Sequence, residues 1–166
     1  KQFVKGDCTT ASSSKLAELC KLVENSFRDV NIAFANEISL ISDKLDINVW
    51  ELLSLVNRHP RVNVLNPGPG VGGHCIAVDP WFLVDADPLN AKLTLTARQI
   101  NDEKPKWVIN KFIDQCNNFK VDKLINKNEE ISVAIYGLTF KPNIDDLRES
   151  PALIIAESIS NIHEGP

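Results

Sequence analysis

From Lys15 to about Leu45 the apolar residues Leu16, Cys20, Val23, Phe27, Val30, Phe34, Ile38, Ile41 and Leu45 follow one another at steps of three or four. Side chains at that spacing recur on one face of an α-helix, and no Gly or Pro interrupts the run. The small polar stretch Ala11-Ser12-Ser13-Ser14 ahead of it predicts a loop that delivers an N-cap serine. Such a helix runs about 45 Å, whereas a domain of this size has a radius of gyration of roughly 15 Å. One element therefore spans the chain. It also carries Leu19, Leu22, Ile32, Ala33, Ala35 and Leu40 outside the main stripe. That second apolar face suggests a subunit interface; the plainer reading is the central core helix of a monomer.

Asn48 to about Asn57 predicts a second helix ending before His59-Pro60, and VNVLNPGPGVGGHCIAVDP reads as loop from its glycines and prolines. WFLVDADP, after Asp79-Pro80, starts another helix, and residues 89–102 look helical. Pro105 suits the first turn of a further helix reaching about Asn118. Residues 121–130 are polar, a candidate linker. ISVAIYGL, from Ile131, is β-branched and apolar, the signature of a buried strand. A loop with Pro142 follows, and Pro151 opens the apolar helix ALIIAESI. Strand, loop and helix make the first unit of a doubly wound α/β domain. The expected fold is mainly α: a helical domain over 1–120 built on the long helix, a linker at 121–130, and the start of an α/β, Rossmann-like domain over 131–166, cut short at Pro166. A start at Lys1 and the absence of any Met favour a piece of a longer protein.

A net charge of −4 argues against nucleic acid or an anionic membrane as the main partner. No apolar run approaches the roughly 20 residues that span a bilayer, and no signal-peptide pattern is present. Cys8, Cys20, Cys75 and Cys116 form no CxxC pair, and His59, His74 and His163 give no HExxH or finger spacing, so no structural zinc site is expected. Without an export signal, free thiols in a reducing cytoplasm are favoured over a disulfide framework.

Gly68, Gly70 and Gly73 satisfy GxGxxG, but a dinucleotide fingerprint follows a strand directly and opens a helix. Here Pro67 and Pro69 stiffen the approach and lack amide donors. The better reading is that the glycines bring backbone close to a substrate while presenting Cys75. A thiol ionises near neutral pH only in a cationic or N–H-rich setting. Asp79, four residues on, would sit one helical turn away and orient a water. By spacing alone, Cys75 is equally readable as structural.

Other polar groups cluster by spacing. Lys21, Asn25 and Arg28 share a face of the long helix, either as a solvated flank or as groups converging on an anionic ligand. Lys21 and Asn25 would stabilise a developing oxyanion, and Arg28 would suit a phosphate or a hydroxyl-rich sugar. His59 and Arg61 form either an anion clamp or cations at a helix C-terminus. Lys141 and Arg148, in GLTFKPNIDDLRESP, follow the expected strand, where α/β proteins bind ligands; Asp145 and Asp146 are their charge partners.

KLVENSFRDVNIAFANE, GPGVGGHCIAVDP and GLTFKPNIDDLRESP, in this order and spacing, resemble the UDP-glucose/GDP-mannose dehydrogenase family over essentially the whole chain. The resemblance implies NAD-dependent oxidation of the C6 alcohol of a UDP-sugar to an acid, with two NAD and one water. It implies that Cys75 is the nucleophile, passing through a thiohemiacetal and a thioester, with Lys21 and Asn25 on the oxyanion and Asp79 on the water. Arg28, His59, Arg61 and Gly72 would contact the nucleotide sugar, Arg61 from the neighbouring subunit of a homodimer built on helix 15–45. Phe140 and Lys141 would be further substrate contacts, and Arg148 a contact to the NAD phosphates. It further implies an N-terminal NAD domain that the chain lacks and a truncated UDP-binding domain, so that the chain alone turns nothing over. Two rivals stand beside it: a purely structural dimerisation module, and a Cys-His enzyme pairing Cys75 with His74.

Overall fold

The computed structural model describes residues 5–122, 131–163 and 165. Helix α1 runs Ser14–Lys44, α2 Val49–Val56, α3 Asp79–Ala86, α4 Lys92–Asp122 and α5 Pro151–Ile162. α4 packs along α1, α3 lies against both, α2 touches α1, and α5 rests on α4. The caps follow local chemistry. Ser13 Oγ accepts from Leu16 N–H at 3.2 Å, and Asn48 Oδ1 accepts from Trp50 and Glu51 N–H. Both satisfy amide donors that a helix start leaves without partners.

α1 is as long and unbroken as its periodicity requires, but its apolar stripe does not face the rest of the chain. Leu16, Leu19, Val23, Phe27, Phe34, Ile41 and Leu45 are exposed, Phe27 by 68%. The face toward α4 is small and polar: Asn25, Ser26, Asp29, Ala33, Ala35, Asn36, Ser39 and Ser42. α4 meets it with Ala97, Arg98, Asn101, Lys104 and Pro105. Arg98 Nη1 donates to Asp29 Oδ1 at 2.6 Å and its Nη2 pairs with Asp102, while Asn101 Nδ2 donates to Asp29 Oδ1 at 2.8 Å. Burial pushes the Asp29 carboxyl above its usual range, against the pull of Arg98 and Asn101. Burying these groups is tolerable because most find a partner across the interface, Asp29 with Arg98, Asn36 with Asn101 and Ser39 with Lys104, while Ser26 Oγ, Asp29 Oδ2 and Arg98 Nε have none among the described residues.

Three expectations need correcting. α4 is one helix through Pro105, not two. Pro105 cannot donate to the Asn101 carbonyl four residues back, and that carbonyl instead faces the loop, 3.2 Å from where a Cβ on Gly70 would lie. The expected buried strand at 131–138 is absent: no strand forms among the described residues, and Ile135, Tyr136 and Leu138 are exposed. A strand is held by ladder partners on its neighbours, and no other described segment offers one. Two side chains tether the segment instead: His163 Nε2 lies 2.6 Å from Ile131 O, and Ser150 Oγ donates to Leu138 O at 2.7 Å. Of the expected linker 121–130, Val121 and Asp122 complete α4, and the rest falls outside the described residues.

Candidate functional site

Residues 62–73 run without secondary structure and lead into the turn that carries Cys75. The stretch is pinned at three places. Asn57 brackets Val64, accepting its N–H at 2.8 Å and donating to its carbonyl at 3.0 Å. Gly68 N–H donates to Asn36 Oδ1 at 2.9 Å, and Gly73 N–H to Arg148 O at 3.2 Å. Beyond it, the Cys75 carbonyl accepts from Val78 and Asp79 N–H at 3.0 and 2.8 Å, so the turn winds directly into α3. The Cys75 side chain stays exposed as a free thiol.

The glycines of this loop face the chain itself. A methyl on Gly72 would meet Phe140 Cβ at 2.6 Å and Pro151 Cδ at 2.8 Å, and would also press on Glu149 O. Gly73, at φ +82°, lies under the Phe140 ring. The close approach expected toward a substrate is thus taken up by the segment 140–151. The fingerprint reading also lacks its frame, since no strand precedes Gly68 among the described residues and α3 begins only at Asp79.

Asp79, the first residue of α3, receives a 2.5 Å hydrogen bond from Asn25 Nδ2. Asn25 is 4% exposed, so this amide belongs to the buried face of α1, not to its solvated flank. Lys21, one turn earlier, is exposed and paired with Glu24 at 3.1 Å. Arg28 is exposed and has no ion-pair partner among the described residues. Lys21, Asn25 and Arg28 therefore do not act as one set here: Asn25 joins Asp79 and the other two face outward.

Arg148 closes the other side. Its Nε and Nη2 clasp Asp146 at 2.9 and 2.6 Å, and Asp146 also accepts from the Arg148 backbone N–H at 3.0 Å. That guanidinium holds the Asp146 carboxyl down at about 2, and Asp146 in turn raises Arg148, with a smaller push from nearby Cys75. The Arg148 backbone adjoins the Cys75 turn through the bond that its carbonyl accepts from Gly73 N–H. Asp146, rather than Asp145, is the ion-pair partner of Arg148. Lys141 is exposed, its ammonium 5.7 Å from the Phe140 ring centroid. His59 and Arg61 lie in the exposed turn after α2, where Arg61 N–H donates to His59 Nδ1 at 3.3 Å. No polar contact joins them to the Cys75 turn among the described residues.

The geometry thus gathers Cys75, Asp79, Asn25, Gly72, Phe140 and Arg148, and leaves Lys21, Arg28, His59, Arg61 and Lys141 at the surface. Sequence reasoning missed Asn36, Asp29, Arg98, Asn101 and Lys104. Their one signal is that Asp29 and Asn36 extend the line of Asn25 along the same helix face, a line that reads as solvated until α4 is laid on it.

The family model for the UDP-glucose/GDP-mannose dehydrogenase central domain matches residues 15–103, and the model for that family's UDP binding domain matches 134–163. The UDP-N-acetyl-D-mannosamine dehydrogenase of Escherichia coli (strain K12) is 59% identical over 99% of this chain, and that of Salmonella typhi 58%. The chain spans 39% of the length of each. Among solved structures, a UDP-D-ManNAc dehydrogenase from Pyrococcus horikoshii superposes with a TM-score of 0.83 at 38% identity, covering 98% of this chain and 38% of that one.

Proposed function

Since this chain belongs to the UDP-glucose/GDP-mannose dehydrogenase family, we propose that the whole protein oxidises the C6 alcohol of a UDP-sugar to the uronic acid through Cys75. The relatives' names favour UDP-N-acetyl-D-mannosamine as the sugar; UDP-glucose is the alternative. The observation that carries the reading is the juxtaposition around the thiol. Cys75 is exposed, Asp79 follows one turn later, and a buried amide, Asn25, holds Asp79 in place.

Each residue then has a defined task. Once the C6 alcohol has become an aldehyde, Cys75 Sγ adds to its carbon and an S–C bond forms. The oxygen gathers negative charge, which Asn25 and Lys21 stabilise. Asn25 has a second amide hydrogen free for this while the first stays on Asp79. Lys21 must exchange Glu24 for the substrate oxygen, a small cost because an exposed pair contributes little. Loss of hydride from the thiohemiacetal leaves a thioester. A water oriented by Asp79 adds to its carbon, the S–C bond breaks and the thiolate departs. NAD, when bound, supplies the acceptor for both hydrides. The Arg148 edge not held by Asp146 would hold one of its phosphates. The described residues hold no further dinucleotide cradle, so these 166 residues alone are expected to give no turnover.

Arg28, His59, Arg61, Gly72, Phe140 and Lys141 are assigned to the nucleotide sugar, Arg61 from a neighbouring subunit. The domain division is 1–120 and 131–166, the second segment belonging to a UDP-binding unit. The exposed stripe of α1 is assigned to a second copy. Leu16, Phe27 and Ile38 recur every eleven residues, as do Leu19, Val30 and Ile41, and Val23, Phe34 and Leu45. That repeat closely matches the helix's own period, so the stripe stays in line along all of α1. This surface also favours a second reading, in which the chain by itself is a dimerisation module.

The test is NADH formation by the whole protein with UDP-N-acetyl-D-mannosamine and UDP-glucose, beside Cys75→Ala. Preference for the mannosamine substrate and a dead Cys75→Ala support both sugar and chemistry. Preference for UDP-glucose removes the sugar assignment, and oxidation of neither removes the reaction.

A further inference from the structure

We infer that Asn36 is a positioning residue for Cys75, setting the loop that carries the thiol through a directional chain of buried amides. The inference rests on the reading of Cys75 as nucleophile. Asp29 is fully buried against Arg98, and its carboxylate can only accept. Asn101 must therefore turn its NH2 toward Asp29, where it donates to Oδ1 at 2.8 Å and to the Asp29 carbonyl at 3.1 Å. Its oxygen is left facing Asn36, whose Nδ2 donates to it at 2.8 Å. That leaves Asn36 Oδ1 as the acceptor for Gly68 N–H at 2.9 Å. The polarity of every link follows from the charge at the far end, so the loop meets an acceptor held in one orientation.

The loop needs such an anchor. Pro67 and Pro69 flank Gly68 and carry no N–H. Between the Asn57 bracket at Val64 and the Gly73 bond to Arg148, Asn36 makes the only hydrogen bond to the loop backbone among the described residues. Asn36 is itself wholly buried. The same face of α1 also supplies Asn25 to Asp79. One rigid helix thus holds the segment seven residues before Cys75 and again four residues after it. A displacement of about 1 Å at a reacting group costs on the order of a hundredfold in rate, so this two-point hold bears directly on turnover.

The experiment compares the whole protein as wild type, Asn36→Ala, Asn36→Ser, Asn101→Ala, the Asn36→Ala/Asn101→Ala double variant and Cys75→Ala. Asn36→Ser keeps a polar group but is too short to bridge Asn101 and Gly68. Readouts are kcat and KM for the UDP-sugar, hydrogen exchange of peptides covering 62–74, and iodoacetamide labelling of Cys75 against Cys8. For the Asn36 variants the inference expects about a 10–100-fold fall in kcat with KM changed less. Faster exchange confined to 62–74 and altered labelling at Cys75 alone should accompany it. The double variant should be little worse than either single one, because both break the same chain. Wild-type loop exchange and kcat in Asn36→Ser would overturn the inference and leave the nucleophile untouched. Exchange that rises uniformly across α1 and α4 would also overturn it, reducing Asn36 to a core residue. An active Cys75→Ala would remove the underlying reading instead.

Discussion

Replacing Gly72 with alanine separates what the glycines of this loop do from what glycine does in general. Neither Gly68 nor Gly72 has left-handed backbone, in contrast to Gly70 at φ 141° and Gly73 at φ 82°. Alanine at either position should therefore gain about 0.4–1 kcal/mol by restricting the unfolded chain, provided there is room. At Gly68 there is, since the nearest atom to an added Cβ is Gly70 O at 3.8 Å. At Gly72 the methyl would lie 2.6 Å from Phe140 Cβ and 2.8 Å from Pro151 Cδ. Carbon atoms prefer about 3.5–4.0 Å, so the loop must retreat by something near 1 Å. Phe140 Cβ sits close to its backbone and Pro151 is a buried ring opening α5, so neither yields easily. Overpacking of this kind costs about 1–3 kcal/mol. The retreat also carries Cys75, three residues on, away from its place, for a loss on the order of a hundredfold in kcat. Urea unfolding and NADH formation on whole-protein Gly72→Ala and Gly68→Ala test both parts. A Gly72→Ala variant as stable and active as Gly68→Ala would refute the close-packing argument.

Three other outcomes follow from the same structure. Lys104 is 4% exposed, and burial brings its ammonium from 10.5 down to about 8. Its folded-state affinity for a proton is thus below the unfolded one, so the cost of charging it is fully present below pH 8 and is relieved as pH rises from 8 toward 10.5. That cost is about 3 kcal/mol. Lys104→Met should therefore stabilise at pH 7, by up to about 3 kcal/mol, with the gap closing above pH 8; an equal gap at pH 7 and 9.5 would contradict this. Phe27→Asp together with Phe34→Asp should turn a dimer into a folded monomer in sedimentation equilibrium, since both side chains are exposed on the α1 stripe; an unchanged dimer would move the interface elsewhere. Asp146→Asn should free Arg148 and raise KM for NAD several-fold while leaving the melting temperature nearly unchanged, because the Arg148 end of the pair is largely exposed; an unaltered KM would count against Arg148 as a phosphate contact.

Periodicity showed which residues of α1 share a face, but not which face turns inward. Apolar residues usually do, and here the inward face is small and polar. Polar groups can be buried only with partners, and those of Asp29 and Asn36 lie on α4, far along the chain and invisible to local pattern. Pro105 misled for a related reason. A proline ends a helix unless packing holds it, and its freed carbonyl four residues back is what the glycine loop packs against. The Cys75 turn and Asp79 at the head of α3 were legible because prolines and glycines set that stretch directly. That Asn25 would meet Asp79 while Lys21 turned to Glu24 was not legible, because both lie on one helix face and only the neighbouring helices separate them. The apolar run at 131–138 carries β-branched residues, yet a strand is a property of a pair, and one sequence segment cannot show its partner.

The most direct test of the central assignment uses the protein's own control thiol. Cys8 and Cys75 are both exposed and free, so iodoacetamide should reach each of them. Peptide-resolved labelling of the whole protein, with and without saturating UDP-N-acetyl-D-mannosamine, should show protection of Cys75 alone, with loss of turnover tracking its modification. Equal labelling of Cys75 with and without the sugar nucleotide, or full turnover after its modification, would contradict the assignment of Cys75 as the nucleophile.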